Sequence, residues 1–131
     1  MLNTKSRMQP ITSLSVTEAE IVAATECAQD LVFEKNVLES IGLRVKSSIP
    51  LYIDNSGCID LICNWSAGGR TRHVQIKLWW LRELKESTPP IVVPIYCPSD
   101  LNRSDIYTKN CTTGIFEDHV NVFCTDEMIL N

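Results

Sequence analysis

The sequence predicts an α/β domain in which a short mixed sheet is flanked by helices. Three observations lead there. Strand-like and helix-like segments alternate along the chain, a pattern that implies crossovers and parallel pairing. Two apolar runs, "SSIPLYIDN" (47–55) and "IVVPIYC" (91–97), carry the β-branched and aromatic residues of buried strands. The 131 residues fit one core, with no length for a second domain.

The elements follow in order. Residues 1–7 are polar and are expected to fray, as are 124–131. "MQPITSL" (8–14) suits an edge strand, because Pro10 lacks the amide that a central strand needs. A long amphipathic helix covers 15–43. Ser15 and Glu18 form the S-x-x-E capping box at its start, and Gly42 supplies a left-handed stop. After the 47–55 strand, "SGCIDLICNW" (56–65) reads as a short helix capped by Ser56, with Ile59, Ile62 and Cys63 inward. "SAGGR" (66–70) is a loop and 71–87 a second amphipathic helix, broken by Pro89 and Pro90. A turn and a last short helix lie in 98–110, and 114–131 is a terminal helix with a frayed end.

Composition limits function more than it defines it. Apolar residues make up 44% and charged residues 21%, ordinary for a globular chain. A net charge of -4 gives no overall attraction to nucleic acid, so such binding needs a local basic patch. The six cysteines read as reduced thiols, two of them inside helical patterns, which places the protein inside the cell, in cytoplasm or nucleus. No apolar run reaches the roughly 18 residues of a membrane span, so no membrane is expected.

Three carboxylates carry the chemistry. At about 100° per residue, Glu20 shares an angle with Ala24, Cys27, Leu31 and Leu38, whereas Glu18 falls opposite with Thr25, Gln29 and Asn36. Glu18 has a capping role and Glu20 has none, so Glu20 is expected at the mouth of a cation site. Asp54 ends the 47–55 strand, where ligands of open α/β sheets gather. Asp105 opens the last short helix after the 91–97 strand and can reach the same edge. Clustered acidic oxygens repel unless a hard cation joins them, and Mg²⁺ or Mn²⁺ suits an oxygen-only site. Each residue also has a plain alternative: Asp54 as a turn and cap, Asp105 as a solvated first-turn residue, Glu20 as a partly exposed helix residue.

Arg70, Arg72, His73 and Lys77 form a local basic cluster, with Trp79, Trp80 and Arg82 behind it. It suits contact with phosphates through backbone geometry. The alternatives are a solvated helix face with a tryptophan in the core, and His73 as a cap or core residue. Cys97, Cys111, His119 and Cys124 lack a C-x-x-C pair and zinc spacing. Cysteine catalysis lacks a matched base, and "AGG" (67–69) is too short for a phosphate loop.

Four blocks in order, "LSVTEAEIVAATECA", "LYIDNSGCIDL", "GRTRHVQIKLWWLRE" and "RSDIYTKN", resemble the ribonuclease H domain that ends the Pol polyprotein of copia-type retrotransposons. Members of that family carry a helix with T-E-A-E, a strand ending in D-N, an R-x-K/R-H-I/V segment before a helix, and a terminal A-D-x-x-T-K. The likeness covers roughly residues 8–123, and "IFEDHVNVF" is similar to the family's F-x-x-H tail. The resemblance implies an RNase H-like fold and cleavage of the RNA strand of RNA–DNA hybrids with two Mg²⁺ ions. It assigns Glu20, Asp54 and Asp105 as metal ligands, and lays the basic cluster against the hybrid. It also implies a fourth carboxylate, on a first strand upstream of T-E-A-E. Only 14 residues precede Ser15 and none is acidic, and the family's first two strands have no counterpart. The expectation is therefore a truncated gene, a fragment or a reused domain, with little cleavage by this chain alone. Its exposed sheet edge would invite self-association or complementation. The alternative is a non-catalytic remnant that binds nucleic acid or a protein partner.

Overall fold

The computed structural model describes residue 5 and residues 15–64, 72–104 and 112–124. The expected 8–14 strand, the 66–70 loop and the last short helix lie outside them. Five of the expected elements are present as α1 (Val16–Ser40), β1 (Ile49–Ile53), α2 (Ser56–Cys63), α3 (Arg72–Glu86) and β2 (Val92–Tyr96). A 3₁₀ turn (Ser99–Leu101) and a sixth expected element, the terminal helix α4 (Thr113–Cys124), follow.

Among the described residues the sheet has two strands, paired in parallel with Ile49 opposite Val92, Leu51 opposite Pro94 and Ile53 opposite Tyr96. Cys97 N–H donates to Ile53 O at 2.9 Å, carrying the ladder one step past β2. The connection from β1 to β2 runs through α2 and α3, as parallel pairing requires. Leu51, Ile53 and Val92 are buried, while Tyr52 and Ile95 on the opposite face are exposed.

The core joins α1, α2 and α3 to the strands through Ile21, Ala24, Ala28, Leu51, Ile53, Cys58, Ile62, Val74, Leu78, Leu81, Leu84 and Val92. Full burial of a side chain such as Ile21 or Ile62 contributes about 1.5–3 kcal/mol.

Local signals explain the helix ends. Ser15 Oγ accepts from Glu18 N–H at 3.2 Å, as the capping box predicts. Gly42 has φ +87°. Its N–H donates to Glu39 O, and Leu43 N–H donates to Leu38 O, which together form a Schellman stop. At α2 the cap is Asn55 rather than Ser56: its side chain accepts from Cys58 N–H at 2.9 Å. The inward residues of α2 are Cys58 and Ile62, whereas Cys63 is exposed.

The face of α1 differs from the angular expectation. Glu18, Ile21, Val22, Ala24, Thr25 and Ala28 are buried, and Leu31 packs partly against the core. Ala24 and Leu31 of the expected stripe do turn inward, but Cys27 is exposed and Glu20 is half-buried at the flank. Thr25 explains part of the difference. Its hydroxyl donates to Ile21 O at 2.7 Å, so the polar group is satisfied within the helix and the residue packs as an apolar one. Glu18 is only 6% exposed, and among the described residues no buried side-chain nitrogen or oxygen lacks a partner.

Candidate functional site

Asp54 directly follows β1 at its carboxyl end, half-buried, and Asn55 then turns the chain into α2. The first turns of α1 lie against this corner. A Cβ placed on Gly57 would sit 3.5 Å from Thr17 Oγ1, which shows how closely α1 approaches the start of α2. Glu20 is one turn beyond Thr17 on the same side of the helix. Its carboxylate acts on the Cys58 thiol: burial first, then the charge of Glu20, pushes that thiol from 9.0 up to about 12. Glu20 therefore lies near enough to act on Cys58 in the first turn of α2, four residues after Asp54.

The segment after β2 reaches the same corner. Asn102 Nδ2 donates to Asp54 Oδ2 at 3.2 Å, and Asn102 Oδ1 accepts from Ser104 N–H at 3.1 Å. One amide thus ties the Asp54 carboxylate to the backbone immediately before Asp105. Asp105 itself lies outside the described residues. Sequence reasoning passed over Asn102; the available signal was an Asn two residues before a Ser, the spacing of an Asx turn.

Glu20 and Asp54 are oxygen donors of the type that Mg²⁺ and Mn²⁺ take, so the chemistry of this donor set suits a hard cation. Among the described residues no three His, Cys, Asp or Glu form a metal-holding group.

The basic cluster divides. Arg72 and His73 open α3 and are exposed, Lys77 is half-buried one turn on, and Arg70 lies outside the described residues. Exposure removes the core reading of His73. Trp80 packs partly against the core, while Trp79 is 65% exposed. Arg82 does not join the surface cluster. It is 5% exposed, and it donates through Nε to Leu61 O at 3.1 Å and through Nη2 to Leu61 O and Asn64 O. It caps the carboxyl end of α2, where a cation also complements the helix dipole.

Comparison with known proteins extends this picture. The chain is 33% identical over 113 residues to the "Retrovirus-related Pol polyprotein from transposon TNT 1-94" of Nicotiana tabacum. The chain is homologous to a segment of a retrotransposon Pol polyprotein. The aligned region is 86% of this chain and 8% of that Pol polyprotein, so the chain spans a small part of its relative's length. No family model matches the chain, and no solved structure matches it. Among the described residues of this Pol-related chain, no helix is long and apolar enough to cross a membrane.

Proposed function

We propose that this chain is a ribonuclease H-like domain that acts inside the cell on RNA–DNA hybrids, with Glu20, Asp54 and Asp105 holding Mg²⁺ or Mn²⁺. The observation that carries the reading is the corner itself. The end of β1 puts Asp54 beside the start of α2, near which Glu20 lies, and Asn102 brings the chain before Asp105 to the same carboxylate. Homology to a Pol polyprotein and the order of the four sequence blocks support it.

When bound, the metal supplies Lewis-acid activation of water and charge stabilisation at the leaving oxygen. The chain's own residues do the positioning. Glu20 and Asp54 offer carboxylates from two elements that pack on one another, so their separation is set by the core. Asn102 holds one oxygen of Asp54 and limits its rotation. Arg72 and His73 sit at the amino end of α3, where the helix dipole adds to their attraction for phosphate. Lys77 and Arg70 extend that contact along the hybrid backbone.

A hybrid-cleavage assay with Mg²⁺ or Mn²⁺ tests the reading. Cleavage by the chain alone is expected to be weak. Metal-dependent cutting of the RNA strand, by this chain or by a longer Pol segment that contains it, should fall by up to several powers of ten in Asp54→Asn and Glu20→Gln. A second reading, a module that binds hybrids without cutting them, is favoured by the exposure of Arg72 and His73, which need no metal. Metal-independent binding that weakens in Arg72→Ala, with no cleavage by the wild type, would decide for it.

A further inference from the structure

The outward face of α3 has a use that the site above leaves unexplained. Ile76 is 62% exposed and Trp79 65%, and they line an open cleft of about 740 Å³ with Trp80, Glu83 and Glu86. Two large apolar side chains side by side on a solvent face cost hydration free energy unless something covers them. Arg72, Ile76, Trp79, Glu83 and Glu86 recur at spacings of four, three, four and three, the seam of a helix that pairs with another helix. The seam is polar in both senses: basic at its amino end, apolar in the middle, acidic at its carboxyl end.

Such a stripe is its own complement when one copy is turned end for end. We propose that the chain forms a two-fold dimer in which α3 packs antiparallel on α3 of a second copy. With the axis between Ile76 and Trp79, each Ile76 meets Trp79 of the second copy and each Arg72 meets its Glu83. A parallel arrangement would set Arg72 on Arg72 and Glu83 on Glu83, and like charges oppose it. The interface is isologous and closes on itself, so it makes dimers rather than filaments. A foreign helix would need the same apolar centre and the same charge order reversed, which the second copy already supplies.

The length of α3 sets the strength. Its 15 residues span about 22 Å, so one helix pair buries an area at the low end of specific interfaces, and the dimer is weak and dependent on concentration. Arg72 engaged by Glu83 of the second copy is withdrawn from phosphate. The measurement is therefore made without nucleic acid.

Sedimentation equilibrium of the full chain over a wide concentration range tests the proposal, with far-UV circular dichroism confirming that each variant is folded. The wild type should fit a monomer–dimer equilibrium. Trp79→Asp should raise the dissociation constant by more than about tenfold, and Arg72→Glu or Glu83→Arg should each weaken association by repulsion. The double variant Arg72→Glu/Glu83→Arg should regain it. A wild type that stays monomeric throughout overturns the proposal. So does association that Trp79→Asp leaves unchanged, or a double variant that remains as weak as the single ones.

Discussion

Arg82→Ala is the change whose effect the structure specifies most fully. The side chain is 5% exposed, and its hydrogen bonds include two to Leu61 O and one to Asn64 O. Truncation leaves both carbonyls without their charged donor at the carboxyl end of α2. Taking about 1.5 kcal/mol for each carbonyl, and about 0.5 kcal/mol for the cation lost from the helix end, the cost is about 3.5 kcal/mol. That is about a quarter to about two-thirds of the stability of an ordinary domain, about 5–15 kcal/mol. Arg82→Lys keeps the charge but loses the planar fork, so it should cost about half as much. Urea unfolding followed by tryptophan fluorescence reads both variants, with the slope m expected to stay constant. An Arg82→Ala protein within about 0.5 kcal/mol of wild type would refute the assignment of Arg82 as the clamp on α2.

Further expectations concern single residues. Asn102→Ala removes a hydrogen bond worth about 1 kcal/mol, so urea unfolding should show a loss of about that size, and Mn²⁺ binding, read by isothermal titration, should weaken by up to about fivefold. The Cys58 thiol, at about 12, stays protonated in the native state where an unfolded thiol near 9.0 ionises. The unfolded state therefore binds fewer protons between those values. The contribution is present below pH 9.0 and is lost as pH rises through about 12. Thermal unfolding should show stability falling over that window, less steeply in Cys58→Ala. The same burial predicts that Cys58 reacts with a thiol reagent far more slowly than the exposed Cys63. Gly42→Ala forces a Cβ into a backbone with φ +87°, and should cost about 1 kcal/mol in thermal or urea unfolding.

Much of the fold was legible because its signals are local. The capping box at Ser15, the glycine stop at Gly42, the proline break after α3 and the two β-branched runs each act within a few residues, and the structure has them all. The orientation of α1 was only partly legible: Ala24 and Leu31 face the core as the angular count expects, while Cys27 does not. An angular count treats Thr25 as polar, yet its bond to Ile21 O lets it be buried, and that shifts the inward line toward Glu18 and leaves Glu20 at its flank. Arg82 was misread for a related reason: its neighbours in sequence are surface residues of a basic cluster, while its partners are carbonyls 18 and 21 residues earlier in the chain. The proposed site was assembled from three acidic residues in the sequence blocks, of which Asp105 lies outside the described residues. Asn102 was not legible, because only the meeting of β1 with the segment after β2 gives it a carboxylate to hold.

Mn²⁺ titration of the wild type, Glu20→Gln, Asp54→Asn and Asp105→Asn, followed by electron paramagnetic resonance of the free ion, addresses the proposed cation site most directly. Saturable binding by the wild type that is lost in all three variants is the expected result. Three variants that bind Mn²⁺ as the wild type does, or a wild type that binds none, would contradict a common site at the end of β1.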